Sequence, residues 1–501
     1  PVRAAPVTSC VTRYRPYRAR RREMDLFKPK AHALGYDLSP LQGFGRFANR
    51  PYDGGYRIIV NHHLIPKNSG MKLRTIIAFC LLALLPFALL AQEAPEMEKL
   101  NARVDSLAEE TTTLGNLVQK LNKFKVSAYI QGQFQYGQED ATLKVGDKNE
   151  HTDKGFNRFG IRRGRLKFEY NDGIGTGAVQ LEANDKGVSF RDLYIGIKDP
   201  WTKRSQLMAG VFNRPFGHEI GYSTSGLESP ERATIIQYFF PDERDLGAML
   251  TLRANKTSPL AFLRLDAGLF AGNSINRETD SRKDFIGRLG AEKEIGNWAK
   301  WGLGLSYYNG GVYNPTTTAY ELQGKQFVEI DKGETGTYMK REYIGMDAQF
   351  SFHSSWGITT LRGEGLLGTQ PGIAGSSKSP NTGTRPENLP ENSLFKRPFI
   401  GYFFYLVQDI GASPFSAVLK YDTYDPNTKL KGNEIGVENS FTSKTDLAQS
   451  TLGIGALYRF NKHIRVQAYY EFNFNEKSDF VKGYEKDRKD NVFTLRLQYK
   501  F

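Results

Sequence analysis

The sequence of 501 residues has almost no cysteine, because its two cysteines, Cys10 and Cys80, lie in the first 80 residues. A disulfide framework and a cysteine-based zinc site are therefore excluded from the rest of the chain. The mean hydropathy of −0.49 excludes a bundle of membrane-spanning helices. The chain is instead rich in aromatic residues, with 33 Phe and 26 Tyr, and in Gly, with 50 residues. This composition is typical of a large β protein.

The body of the chain also lacks a strong excess of positive charge, although the formal charge of the whole sequence is +14. Residues 1–70 hold 13 Lys or Arg against 4 Asp or Glu, and Lys72 and Arg74 add two more positive charges. Only +3 remains for residues 92–501. Because binding to nucleic-acid phosphates requires a dense basic surface, no nucleic-acid partner is predicted.

The first part of the chain carries an export pattern rather than a folded domain. We expect residues 1–70, which are rich in Arg and Pro and show no sustained periodicity, to be a non-native or disordered leader. Residues 71–91 combine a basic start, an apolar run and a small residue at Ala91, which predicts a signal peptide. The mature chain is then expected to begin near Gln92.

A heptad pattern follows over residues 92–124. Apolar or small residues recur there with alternating spacings of four and three, at Leu100, Val104, Leu107, Thr111, Leu114, Val118 and Leu121. This spacing predicts a short coiled-coil helix that joins subunits. The alternative is a lone helix, which would be marginally stable in water at this length.

From Lys125 onward the periodicity changes to two and keeps that value to the end of the sequence. In the last segment, for example, Leu495, Leu497 and Tyr499 alternate with polar or charged neighbours. About sixteen such segments are predicted, starting near residues 125, 158, 174, 189, 205, 245, 260, 284, 299, 341, 355, 398, 414, 450, 464 and 491. We therefore predict an all-β fold in which residues 125–501 form a transmembrane antiparallel β-barrel, with short turns on one rim and long loops on the other.

A membrane barrel is favoured over a soluble β-sandwich for three reasons. A signal peptide precedes the strands, and charged residues recur at inward positions, where a dry core would make each unpaired charge costly. The final strand also ends with the aromatic residue Phe501, which is typical of bacterial outer-membrane insertion signals. In lipid, only a closed barrel satisfies all the backbone hydrogen-bonding groups of a sheet.

Several motifs in the first third of the predicted barrel resemble the phosphate-selective porins O and P. They are GIRRGRLKFEY at 160–170, FRDLYI at 190–195, FNRPFGHE at 212–219, ESPER at 228–232 and RDLG at 244–247. The resemblance implies a homotrimeric porin of sixteen strands, in a form similar to Bacteroidetes-type relatives. It also implies that a long loop, about 216–244, folds into the pore, and that phosphate, polyphosphate or other anions pass through it.

Six cations are the candidate selectivity residues. Arg163, Arg165 and Lys167 lie at i, i+2 and i+4, so a strand places them on one face, and the planar fork of Arg suits phosphate. Arg214, Arg232 and Arg244 border or lie within the predicted inward loop. The alternatives are that the first three have no filter role and that the loop arginines pair locally with carboxylates, for instance Glu228 with Arg232.

These observations predict an outer-membrane porin for passive diffusion of small hydrophilic solutes, including anions such as phosphate. The expected partners are outer-membrane lipid, those solutes and two further copies of the chain in a homotrimer. The sequence indicates no cofactor, no metal site and no catalytic residues, so no enzyme activity is expected. The alternative is a structural or adhesive barrel that tethers the envelope through its N-terminal coiled coil.

Overall fold

The computed structural model describes residues 73–278, 280–379 and 393–501, and the side chains of α1 from Glu96 onward. The chain divides between Ala94 and Pro95 into two units. Helix α1, Leu73–Leu121, begins in the first unit and ends in the second. The leader predicted over 1–70 lies outside the described residues, and the signal peptide predicted over 71–91 stays a prediction.

The heptad residues of α1 form an apolar stripe that is open to solvent in the single chain. Leu100, Leu107 and Leu121 are each more than half exposed, and so are the other Leu and Val residues of the pattern. The helix is therefore present as predicted, and its association into a coiled coil stays a prediction. No helix in the part of the chain searched for membrane spans is long and apolar enough to cross a membrane.

Among the described residues, sixteen antiparallel strands form a closed barrel. The first barrel strand pairs with both the second and the last, and every strand between them pairs with the barrel strands that precede and follow it in the chain. The strands of the barrel are β1 Phe124–Gly137, β2 Phe156–Asp172, β3 Gly175–Asn184, β4 Gly187–Lys198, β5 Gln206–Asn213, β6 Arg244–Arg253, β7 Leu263–Phe270, β8 Asp284–Ile295, β9 Ala299–Asn314, β12 Thr337–Ser354, β13 Gly357–Ile373, β14 Leu394–Asp409, β15 Phe415–Asp425, β16 Gln449–Arg459, β17 Ile464–Asn475 and β18 Val492–Lys500.

The predicted fold class is confirmed, and each barrel strand starts within four residues of its predicted position. The sequence analysis missed a small hairpin, β10 Thr318–Gln323 and β11 Gln326–Asp331, which lies in the loop between β9 and β12. Strand β10 pairs with the start of β14 in parallel, so the hairpin extends the sheet without entering the barrel circuit. It was missed because its residues do not carry the lipid-facing alternation.

The side chains alternate between the outer and inner faces of the barrel. On β18, Leu495, Leu497 and Tyr499 are about half exposed, whereas Arg496 and Gln498 between them are buried. Apolar outward positions recur in the same way around the whole circuit. Exposure of such a continuous apolar band to water would be unfavourable. The band is therefore the lipid-facing surface of a transmembrane barrel.

The two rims of the barrel differ in the lengths of their connections. On the rim that carries Phe124 and Phe501, seven turns of two to nine residues join the strands. The opposite rim carries the long loops, including the hairpin loop, with one short connection between β3 and β4. At the closing seam, Phe501 and Ala128 exchange two backbone hydrogen bonds of 2.9 Å. The predicted asymmetry of the rims is therefore present.

Candidate functional site: the inward loop and the charged lumen

The connection between β5 and β6, residues 214–243, folds into the barrel. Its first turn is held by β13, which lies six strands away along the barrel circuit. There, one carboxylate oxygen of Glu364 accepts hydrogen bonds from the backbone N–H groups of His218 and Glu219, at 2.9 and 3.0 Å. Gly217 lies directly beside this carboxylate with φ of +61°, so any larger residue there would collide with Glu364.

The middle of the inward loop is bound by the opposite part of the wall. The amide of Gln498 on β18 donates to the carbonyl of Ser225 at 3.1 Å, and Arg496 donates to the carbonyl of Pro230 at 2.7 Å. The hydroxyl groups of Tyr129 on β1 and Thr224 lie 2.5 Å apart. The loop therefore crosses the lumen from β13 to the closing seam, as the family resemblance implied.

The last part of the inward loop forms the short helix α2, Thr234–Phe239, which packs inside an apolar layer. The ring of Phe239 stacks on Tyr343 at a centroid distance of 5.3 Å and lies 4.2 Å from Phe399. Inward-facing residues of β7, β8 and β9 belong to the same apolar cluster, among them Phe270, Ile286 and Tyr308.

The sequence analysis expected charged residues to recur at inward positions, and this apolar cluster shows that part of the inner wall does not follow that expectation. Polar and charged inward positions predominate on β1, β2 and β18, but the wall that faces α2 is largely aromatic. The physical reason is that the inward loop shields this part of the wall from water, so its inward residues form a packed core. The periodicity of a single strand does not reveal what a distant loop will cover.

Within the part of the chain that the structure describes, two cavities border the inward loop inside the barrel. The first, of about 830 Å³, extends toward the short turns and is lined by residues such as Arg204 and Lys300. The second, of about 490 Å³, extends toward the long loops and is lined by residues such as Lys144 and Arg488. Residues 214–223 contribute to the first cavity and residues 232–238 to the second.

The predicted cations of β2 face the lumen. Arg163 and Arg165 are buried, and Lys167 is partly buried with ion pairs to Asp192 at 3.2 Å and Glu169 at 3.1 Å. The register of β1 and β2 shifts by one residue after Gln131, which leaves an extra residue on β2. This bulge turns Arg162 inward beside Arg163. Sequence reasoning missed Arg162 because strict alternation placed it on the lipid side.

One carboxylate of the inward loop binds three arginines. Arg162 donates to both oxygens of Glu231 at 2.7 and 2.8 Å, Arg163 donates at 2.7 Å, and Arg496 donates at 3.1 Å. Burial alone would raise the pKa of the Glu231 carboxyl, but the three guanidinium charges outweigh it and hold that pKa well below its usual range. Glu231 is therefore ionised, and its ion pairs join the loop to the part of the wall formed by β2, β1 and β18.

The other predicted cations lie in a chain of alternating charges. Arg165 pairs with Glu182 at 2.5 Å, and Arg244 pairs with Asp192 at 2.9 Å. Arg244 and Arg232 share Glu243, to which Arg232 donates at 2.5 Å. The local pairing of the loop arginines is therefore present, because cations removed from bulk water are stabilised by nearby carboxylates.

Two details of that pairing differ from the sequence analysis. The suggested partner of Arg232 was wrong, since Glu228 instead binds Arg362 on β13. Arg362 is also held between the rings of Tyr222 and Tyr405, at 4.5 and 4.8 Å. Arg214 donates to the carbonyl of Pro241 at 2.9 Å and lies 4.0 Å from the Asp245 carboxylate. These pairings depend on contacts between segments that are distant in the sequence, and such contacts cannot be predicted from sequence spacing.

Comparison with known proteins gives structural similarity without sequence similarity. The chain is similar to OprB of Pseudomonas putida, with 10% identity, coverage of 77% of this chain and 96% of that one, and a TM-score of 0.48. It is also similar to the outer membrane channel DcaP of Acinetobacter baumannii, with 13% identity, coverage of 75% and 97%, and a TM-score of 0.47. OmpF of Salmonella typhi has 13% identity, the same coverage and a TM-score of 0.46. No protein-family model and no curated protein matches the chain, so the resemblance to the phosphate-selective porins stays a prediction.

The described residues hold no group of three or more His, Cys, Asp or Glu side chains placed to bind a metal ion. Fixed charges and hydrogen-bond donors line the two cavities. Arginine forks and lysine ammonium groups attract and orient small anions without a covalent step.

Proposed function

We propose that this protein is an outer-membrane porin through which small hydrophilic solutes diffuse passively, with a preference for anions. The observation that carries the proposal is the charge around the larger cavity, where seven cations face three carboxylates. The cations are Lys167, Arg204, Arg214, Arg253, Arg264, Arg288 and Lys300, and the carboxylates are Asp192, Asp266 and Glu292. An excess of fixed positive charge in a narrow aqueous space concentrates anions and repels cations.

The arrangement of the loop supports the same function. A loop that narrows the lumen between two cavities gives a barrier at which width and charge select solutes. The candidate selectivity residues are Arg163, Arg165, Lys167, Arg214, Arg232 and Arg244, and Arg162 joins them because it faces the lumen. Phosphate and polyphosphate are the proposed solutes that fit arginine forks best.

The proposed assembly is a homotrimer exported by the signal peptide at 71–91 and embedded in outer-membrane lipid. The exposed stripe of α1 supports association of copies, since six apolar side chains there are at least half exposed in the single chain. Replacement of Leu107 by Asp should therefore weaken the oligomer in chemical cross-linking, while replacement of the polar neighbour Glu109 by Gln should leave it intact. Equal cross-linking of both variants would contradict the role of the stripe.

The deciding experiment is conductance in planar lipid bilayers with the purified chain. A porin gives stepwise currents, and an anion-preferring porin gives a reversal potential in a potassium chloride gradient that corresponds to a higher permeability for chloride than for potassium. Heat-denatured protein is the control. Absence of current above that control would contradict the proposed porin function.

A structural barrel that tethers the envelope is the second candidate. The packed aromatic layer around α2 favours it, because this layer fills part of the lumen. A tethering function would depend on α1 and would not depend on conduction through the barrel. Deletion of residues 96–121 would then impair envelope integrity without changing permeability, whereas the porin proposal expects permeability to depend on residues of the lumen.

A further inference from the structure

The cluster around Glu231 is unusual among the charged groups of the lumen because its charges do not balance. Three guanidinium groups, those of Arg162, Arg163 and Arg496, bind this one carboxylate. Among the described residues, no second carboxylate lies within ion-pair distance of these three guanidiniums. The cluster therefore carries an excess of two positive charges, whereas Glu243 and its neighbours alternate in sign.

The donors of the cluster are arranged as they would be around a small oxyanion. Four N–H groups converge on the two oxygens of Glu231 at distances between 2.7 and 3.1 Å. The neighbouring side chain of Gln133 is buried and accepts two hydrogen bonds from Arg496, at 2.9 and 2.6 Å. Its own amide nitrogen has no hydrogen-bond partner among the described residues. The cluster thus has uncompensated positive charge and, at the Gln133 amide nitrogen, a hydrogen-bond donor without a partner among the described residues.

The cluster also lies beside the smaller cavity. The side chain of Arg162 keeps 20% of its surface exposed, and Lys420, which lines the smaller cavity, lies 3.5 Å from the backbone carbonyl of Glu231. Arg232, the next residue of the loop, lines the same cavity. An anion in that cavity would therefore lie beside the loop backbone at Glu231, next to the cluster.

From these observations, and resting on the proposed function, we propose that Arg162, Arg163 and Arg496 form an oxyanion-binding site whose internal ligand is the carboxylate of Glu231. The tethered carboxylate occupies the site, holds the loop across the lumen and keeps a passing anion from binding too tightly. The ligand class that the site accepts when the carboxylate is absent is a small oxyanion with at least two acceptor oxygens, such as inorganic phosphate. Chloride has no pair of oxygens to accept the two parallel N–H groups of a guanidinium fork, so it fits the site less well.

The test is Glu231→Gln, which keeps the shape of the side chain and removes its charge. The thermal unfolding midpoint of the variant in detergent is measured with inorganic phosphate and with chloride at equal ionic strength. Phosphate should raise the midpoint of Glu231→Gln in a saturable manner, because a ligand at 100 times its dissociation constant raises the folded-to-unfolded ratio about a hundredfold. Chloride should not, and the wild type should respond little to either. An equal response of wild type and variant to phosphate would overturn the proposal.

The matched control is Glu243→Gln, which removes a buried carboxylate of the same loop that also binds two arginines. Of its two arginines, Arg244 keeps Asp192 as a counter-ion, so phosphate should stabilise this variant less than Glu231→Gln. Equal stabilisation of the two variants would mean that any unbalanced arginine binds phosphate and would overturn the assigned site.

A second variant decides the matter if Glu231→Gln does not fold. Arg162→Gln leaves Glu231 with two arginines and reduces the excess charge from two to one, so the chloride-to-potassium permeability ratio should fall. An unchanged ratio in a conducting barrel would contradict the proposal. If the wild type does not conduct at all, the porin function fails, but phosphate-dependent stabilisation of Glu231→Gln would still support the site.

Discussion

Phe239 anchors the inward loop, and its truncation should release that loop from the wall. The ring is 1% exposed, and it contacts Tyr343, Phe399 and Tyr424 at centroid distances of 5.3, 4.2 and 5.6 Å. Loss of a fully buried Phe side chain costs about 3–5 kcal/mol. The contacts of Phe239 join the loop to strands β12, β14 and β15, so most of this cost falls on loop docking. Because 1.4 kcal/mol corresponds to a factor of ten, the undocked population should rise roughly 140- to 3,700-fold.

The release is measured by two assays. Arg232 is a buried trypsin site within the loop, and its cleavage rate should rise in Phe239→Ala in proportion to the undocked population when opening is fast. Single-channel recordings should show a higher mean conductance and more current noise. Phe404→Ala is the control, because Phe404 lies on β14 like Phe399 but faces outward and is 56% exposed. Unchanged cleavage and conductance in a folded Phe239→Ala barrel would refute the anchoring role.

Two further predictions concern charge. The double substitution Arg163→Glu and Arg165→Glu should lower the preference for anions in reversal-potential measurements, since it places negative charges beside Glu231 and Glu182. An unchanged chloride-to-potassium permeability ratio would mean that the selectivity residues lie elsewhere. In the loop before β18, burial raises the pKa of Asp490 from 3.8 to about 6. The stability that this group contributes is complete below about pH 3.8 and is lost as the pH rises through about 6. The thermal midpoint of the wild type should therefore fall relative to Asp490→Asn over that interval, and a pH-independent difference between the two proteins would contradict the shift.

The sequence predicts the barrel well because the lipid imposes a simple rule on each strand. Outward residues such as Leu495 and Leu497 must be apolar whatever lies inside, so alternation identifies the strand without knowledge of its partners. The same rule fails where lipid is not in contact, as in the hairpin β10–β11. It also fails at the bulge, where one additional residue turns Arg162 inward.

The candidate site could be predicted only in part. Position on β2 indicated that Arg163 and Arg165 face the lumen, but their partners Glu231 and Glu182 depend on which distant segments the fold brings together. The aromatic wall around Phe239 had no signature of its own, because inward Phe and Tyr residues resemble ordinary strand residues until the loop that covers them is known. Long-range contacts of this kind are set by topology and not by local pattern.

The inward loop leaves and re-enters the wall at adjacent points, since Asn213 at the end of β5 is paired with Arg244 at the start of β6. Its length and composition can therefore change without altering the circumference of the barrel or the pairing of any strand. Diversification of what passes through such a protein then needs only one exchangeable insert, and the surrounding scaffold, with its lipid contacts, is free to stay constant.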